Sequence, residues 1–358
     1  MIMSVFKAKS NIVKYKRGKN MDVKEILFKL SAAAGVGGLP DAPQTAADML
    51  SKYASVSRDG AGNVIGKISG NSEYNIMLDA HIDEIGFMVT SVDENGFVTV
   101  TDSGGIDSRL LPAMEVIIHG KRKVYGVFCS TPPHLSKKDD APRKLSEMHI
   151  DTGLGAEAAE IISVGDRVTY STVPAALLNG CMTGKSFDNR AGVASLIRAA
   201  ELLHEHGSLP CGVTILLSVE EELGCLGAGS AAYAIRPDEA VAVDVSYAKS
   251  PGTPPNKTGI LGSGPMIGVS PTLCGEITER LKATAKENGI QYQIEAMGGK
   301  TSTNADVISI SGSGIKTGLV SIPLRYMHTP VEVITESDVE NTARLLYEYI
   351  LKGGVKNA

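Results

Sequence analysis

Cysteine is sparse and poorly spaced for chemistry. The 358-residue chain has five: Cys129, Cys181, Cys211, Cys225 and Cys274. The number is odd and no pair has CxxC spacing. A disulfide framework and a thiolate zinc site are therefore not expected, and a reducing, cytoplasmic setting is. An excess of positive charge is missing as well. The formal net charge is −5 with both signs spread along the chain, so the basic face that nucleic-acid binding needs is absent. No apolar run approaches the roughly 20 residues that cross a bilayer, and no membrane partner is expected. There is no internal repeat and no low-complexity tract. The opening stretch, MIMSVFKAKSNIVKYKRGKN, is basic but lacks the apolar core of a secretory signal. Residues 1–20 are expected to form a mobile arm, or to lie upstream of a true start at Met21.

What is present is ample material for a core. At 43% hydrophobic, a chain of this length is expected to form two domains. Residues 22–34 read as a helix stopped by Gly35, and AADMLSKYASVS as a second helix. GNVIGKIS and YNIMLDAHID read as strands, the second apolar enough to be buried on both faces. From about Thr90 to Val173 the texture changes to short alternating segments separated by turn signals, with a polar loop, STPPHLSKKDDAPRKL. That is the pattern of a small antiparallel β-domain. Helix–strand alternation resumes near Gly180 and ends in SDVENTARLLYEYILKG, a helix with Ser337 as its expected cap. The expected fold class is α/β: a mixed, largely parallel sheet flanked by helices, with an inserted antiparallel β-domain. The expected division is a catalytic α/β domain over 21–89 and 179–358, interrupted by a β-domain over 90–178.

Ligands of open α/β sheets bind beyond the carboxyl ends of the strands. Four such ends here carry acids or histidines: His81 and Asp83 after IMLDA, Glu220 to Glu222 after TILLSV, Asp244 after AVAV, and His328 after GLVSIPLRYM. Asp188 stands just before a helix in GKSFDNRAG. Each alone is weak. A lone histidine at a strand end is more often structural, Asp188 could be an N-cap, and three glutamates are usually a solvated face. Gathered at one edge they would be costly without cations. Two histidines and three carboxylates suit zinc, cobalt or manganese, and one carboxylate can bridge two ions about 3.5–4 Å apart. His119, His149, His204 and His206 read as structural or solvated; His134 could be either.

The ordered series HxDEIGFMV, FDNRAGV, EExGxxGA, VDVS and RYxHTPVEV resembles the tetrahedral, or TET-type, metallo-aminopeptidases, also labelled glutamyl aminopeptidases or endoglucanases. The resemblance covers nearly all of the chain from Met21. It implies that Asp188 bridges two metal ions, with His81 and Asp244 completing one site and Glu222 and His328 the other. It implies that Glu221 is the general base, that Asp83 orients His81, and that the Asp188–Asn189 peptide bond is cis. It further implies peptide substrates and self-association, with dimers built through the β-domain into a homododecamer. The sequence departs from the family's pattern at Glu220 in place of glutamine, Ser302 in place of aspartate and Tyr247 in place of histidine. None of these removes a ligand; they bear on substrate preference. The alternatives are a deacylase or carboxypeptidase of the same co-catalytic class, or an inactive peptide-binding scaffold.

Overall fold

The computed structural model describes residues 22–132, 134–135 and 143–353. The expectations for residues 1–20 and for most of the Lys-rich loop fall outside them. In chain order the first strands are β1 (Ser55–Arg58), β2 (Val64–Ile68), β3 (Asn75–His81), β4 (Gly86–Val92), β5 (Val98–Ser103) and β6 (Glu115–His119). Next come β7 (Lys123–Phe128), β8 (Ile150–Asp151), β9 (Arg167–Tyr170), β10 (Ala175–Ala176), β11 (Cys181–Gly184) and β12 (Gly212–Ser218). The last are β13 (Glu239–Tyr247), β14 (Met266–Val269), β15 (Gln293–Ala296), β16 (Lys316–Leu324) and β17 (Glu332–Thr335). The helices are α1 (Val23–Ala32), α2 (Asp41–Leu50), α3 (Ala158–Ile161), α4 (Phe187–His206), α5 (Leu226–Ile235), α6 (Gly275–Glu287), α7 (Ala305–Ser309) and α8 (Glu336–Leu351).

Eight strands form one sheet in the order β1-β2-β12-β3-β13-β16-β14-β15. The central four, β12, β3, β13 and β16, are mutually parallel. Strands β2 and β14 flank them in antiparallel pairing. The fold is thus mixed α/β with a largely parallel sheet. Successive side chains in a strand face opposite sides, and here that alternation sorts chemistry from core. In β3, Ile76, Leu78 and Ala80 enter the main core, which includes Leu27 and Leu30 of α1, Leu196 and Leu203 of α4 and Leu346 and Ile350 of α8. Met77 faces the other way, against Ala228, Ala231 and Ala232 of α5. Asp79 and His81 share the Met77 face by the same period. Strand β13 repeats the scheme: Val241, Val243 and Val245 join the main core, while Asp244 falls on the opposite side.

Directly after β3 the chain enters a closed barrel, β4-β5-β8-β7-β6-β9. It has its own core, including Phe87, Val89, Val100, Ile118, Phe128 and Val168. The Phe87 ring meets Phe128 edge-on at 5.2 Å and Tyr170 at 5.6 Å.

Two local expectations are corrected. The segment AADMLSKYASVS is not one helix. Helix α2 begins earlier, at Asp41, and stops at Leu50, and Ser55–Arg58 pairs with β2 as an edge strand. Pro43 sits in the first turn of α2, where its missing N–H costs no helical bond. The cap of α8 is Thr335, not Ser337. Thr335 has an extended backbone and its side chain accepts the Asp338 N–H at 3.3 Å, while Ser337 lies inside the first turn. Replacing Thr335 by Ala should therefore lower stability by about 1 kcal/mol, whereas Ser337→Ala should stay within about 0.5 kcal/mol of the parent. Urea unfolding of the two variants separates the assignments; equal losses would contradict the cap.

Candidate metal centre

The carboxyl ends of the central strands meet at one cavity of about 960 Å³, lined among others by His81, Asp188, Glu221, Glu222, Asp244 and His328. His81 is the last residue of β3, and Asp244 lies within β13. Glu221 and Glu222 follow the end of β12. His328 lies beyond the end of β16, in a turn with φ 59°, so the segment reaching it is not strand throughout. Asp188 enters from the first turn of α4, and its peptide bond to Asn189 is cis, as the resemblance implied.

Asp188 is the meeting point. Its Oδ1 lies 3.1 Å from His81 Nε2 and its Oδ2 lies 3.4 Å from His328 Nε2. Asp244 Oδ1 is 3.7 Å from His81 Nε2, and Glu222 Oε2 is 3.5 Å from His328 Nε2. Among the described residues, three groups of ligand atoms lie within 4.8 Å of one another: His81, Asp188 and Asp244; Asp188, Glu222 and His328; and His81, Glu221 and Glu222. The first two share Asp188, whose Oδ1 faces the histidine of one group and Oδ2 the histidine of the other.

The motif around Asp188 explains its placement. The Asn189 amide donates to Val243 O at 2.8 Å, tying the helix start to β13 beside Asp244. Asn189 Oδ1 accepts the Gly192 N–H at 3.0 Å, and a Cβ at Gly192 would sit 2.3 Å from that oxygen. Arg190 is fully buried and donates to Leu30 O and Ala33 O at the end of α1.

The three polar residues after β3 divide their tasks. Asp83 Oδ1 lies 3.4 Å from His81 Nδ1, and its two oxygens accept the N–H groups of Glu221 and Glu222 at 3.2 Å each. Glu84 turns to the other side. It accepts from Lys185 Nζ at 2.6 Å and from Gly35 N at 2.8 Å, with Arg190 at 3.8 Å. Cationic side chains thus neutralise Glu84, while among the described residues the ion-pair partners of the cavity carboxylates are His81 and His328.

The electrostatics follow from that imbalance. Burial, reinforced by the Asp188 charge, pushes Glu222 up to about 8. Burial likewise raises Glu221, and raises Asp244 well above the ordinary carboxylate range. Burial also opposes the Asp188 charge, but hydrogen bonds from His328 and His81 hold it below its usual value. The Asp188 hydrogen bond draws His328 up to about 9. Burial disfavours a charged His81, yet its hydrogen bond to Asp188 and the Asp83 carboxylate beside its other nitrogen lift it well above the usual histidine value. The cavity thus retains protons to offset clustered negative charge. Divalent cations would replace those protons, and the donor set of carboxylate oxygens and imidazole nitrogens fits zinc-type ions. His328 Nδ1 donates to Gly105 O at 2.8 Å, so when the ring gives up its second proton the lone pair is on Nε2, toward the cavity.

Three functional features were not read from the sequence. Gly105, just past barrel strand β5, orients His328, so the barrel reaches the cavity. Its backbone comes so close that a Cβ there would lie 3.0 Å from His328 Nδ1. Glu332 is buried and accepts the Asp188 N–H and the His328 N–H, each at 3.1 Å. Asp79 lies beneath His81, held by the Asn304 amide at 2.9 Å, and burial raises it to about 6. The Glu of HTPVE was the available signal for Glu332; nothing local marks Gly105. Of the departures, Tyr247 and Ser302 line the cavity. Glu220 lies one residue before Glu221, with φ 60°.

A largely parallel sheet that gathers this donor set at its carboxyl edge has the character of a metal-binding site. Residues 62–345 match the model of the M42 glutamyl aminopeptidase family, and the chain belongs to that family of peptide hydrolases. It is 32% identical over 331 residues to the lysyl aminopeptidase of Pyrococcus furiosus, covering 90% of this chain and 94% of that one. Aminopeptidase APDkam598 of the archaeon Desulfurococcus kamchatkensis superposes with a TM-score of 0.87 at 31% identity, over 92% of this chain and 95% of that one. The Pyrococcus horikoshii TET1 peptidase, described as able to assemble into a tetrahedron or a large octahedral shell, gives 0.83 at 29% identity, over 92% and 100%.

Glu332→Gln exchanges one acceptor oxygen for a donor facing an N–H of either Asp188 or His328. It should weaken divalent-cation binding by about 10–100-fold while leaving the circular dichroism spectrum unchanged. Competition against a chromophoric chelator measures this; an unaltered affinity would remove Glu332 from the positioning role.

Proposed function

We propose that this chain is an aminopeptidase that removes N-terminal residues from peptides at a pair of divalent cations, zinc or cobalt first and manganese next. His81, Asp188 and Asp244 would hold one cation, and Asp188, Glu222 and His328 the other. The observation that carries the reading is the single aspartate whose two oxygens face two histidines from distant segments. When bound, such ions supply a Lewis acid for the scissile carbonyl and lower the pKa of a nearby water.

The chain's own groups supply the rest. Glu221 lines the same cavity, with Oε2 at 4.0 Å from His81 Nε2. Its carboxylate takes a proton from the attacking water and returns it to the leaving amine. Asp83 keeps the His81 ring in place and, through two backbone N–H groups, fixes the Glu221–Glu222 pair. The carboxylate-rich wall favours a positively charged α-amine, which only a chain end offers.

Glu221→Gln should keep its cations and lose about 10²–10⁴-fold in turnover of aminoacyl p-nitroanilides. Metal content by mass spectrometry and steady-state kinetics test both halves. Near-parental turnover would reassign the base, and turnover of N-acyl amino acids alone would make the chain a deacylase.

Self-association is part of the proposal, with dimers formed through the barrel and assembled into a dodecamer. Strand β7 alternates exposed and buried, so that Tyr125 and Val127 point outward from the barrel, 65% and 43% exposed. Outward apolar groups of this kind favour association. Light scattering should give a mass of many chains; a mass of one 37.6 kDa chain would contradict assembly.

A further inference from the structure

The cavity extends beyond the ligand cluster along the same face of the sheet. Asp244 and Ser246 are two residues apart on β13 and so share a face. Ser321 of β16 lies opposite Asp244, and Met266 of β14 lies opposite Ser321. Into this extension projects Glu295 of the edge strand β15. Its two oxygens accept hydrogen bonds from two strands: Oε2 from Ser321 Oγ at 2.6 Å, and Oε1 from Ser246 Oγ. Each carboxylate oxygen can accept a further bond. Glu295 is half-buried and lines the cavity together with Met266, Met297 and Leu319.

We infer that Glu295 is a specificity residue that selects peptides with a basic N-terminal side chain, lysine or arginine. The inference rests on the aminopeptidase reading of the ligand cluster. A substrate whose α-amine and first carbonyl sit at the cluster must place its first side chain in the remaining space. Ser246 lies about 6.6 Å along the strand from Asp244, and an extended lysine spans about 6 Å from Cα to Nζ. The apolar stem of the substrate packs on Met266, Met297 and Leu319, whose flexible and branched surfaces suit methylenes. Its cationic head reaches a carboxylate already fixed by two hydroxyls, so little ordering is needed to form a charge-assisted bond. Lys257 and Lys300 also line the cavity, but both are exposed. Their ammonium groups remain hydrated, whereas Glu295 is partly withdrawn from water, where a charge pair is stronger.

The test compares p-nitroanilides of lysine, norleucine and glutamate with the metal-loaded full chain. Norleucine keeps the straight stem and lacks the ammonium. Lysine should exceed norleucine in kcat/KM by about tenfold or more, and Glu295→Gln should reduce that ratio to near unity. Each ratio is taken within one preparation and does not depend on the fraction folded. Gln retains the size of Glu and can still bond both serines. Hydrolysis of norleucine substrate with equal or lower activity on lysine would overturn the inference and leave the aminopeptidase reading standing. A lysine preference that survives in Glu295→Gln, or a preference for glutamate, would also overturn it. Failure to cleave any of the three would instead overturn the underlying aminopeptidase reading.

Discussion

One carboxylate group has to serve two histidines that arrive from opposite ends of the chain. Asp188 does so by presenting Oδ1 to His81 and Oδ2 to His328. Much of the surrounding structure fixes that group in space. Asn189 ties its helix to β13, and Glu332 accepts its backbone N–H. The same Glu332 carboxylate also holds the backbone of His328, so Asp188 and one of the histidines it faces share a single anchor. A shift of either would be felt by both.

Charge balance is the second constraint, and it is met differently on the two sides of β3's end. Glu84 is answered by Lys185 at bonding distance and by Arg190 close by. A buried carboxylate compensated in this way is a structural element. Among the described residues, no lysine or arginine pairs with Asp188, Asp244, Glu221 or Glu222. Their environment raises three of them and draws protons onto both histidines. Adjacent residues in one short segment therefore belong to different regimes: Glu84 faces permanent cations, and Asp83 faces a site that would take exchangeable ones.

The extent to which this was readable depends on the range of the interaction. Strand period and strand ends are local, so the fold class and the residues converging on the cavity were legible from runs such as IMLDAH and AVAVD. The Asp188–Asn189 geometry was legible only through the family resemblance. Glu332, Gly105 and the Lys185–Glu84 pair were not, because their partners lie 101 to 223 residues away in sequence, apart from the short His328–Glu332 contact. The α2 boundary failed for a local reason: Pro43 in a first turn looks like a breaker and is tolerated there. Thr335 was missed as a cap because β17 runs directly into α8, leaving no loop to mark the change.

The point at which the barrel is inserted has a consequence for the site. The chain leaves the main sheet at His81 and begins β4 at Gly86, so the outgoing connection is only the short segment that includes Asp83 and Glu84; the return runs from the end of β9 at Tyr170 to β10 and β11. Asp83 and Glu84 are both pinned, one to the Glu221–Glu222 backbone and the other to Lys185. The barrel then returns toward the cavity at Gly104 and Gly105, where a Cβ would lie 3.3 Å from Glu222 Cβ and 3.0 Å from His328 Nδ1, respectively. Glycine at both positions lets the barrel's backbone approach two candidate ligands without displacing them. The insert is therefore seated by short connections at its root and by backbone contact with the cavity wall. The orientation of His328 depends on that seat, because its Nδ1 donates to Gly105 O.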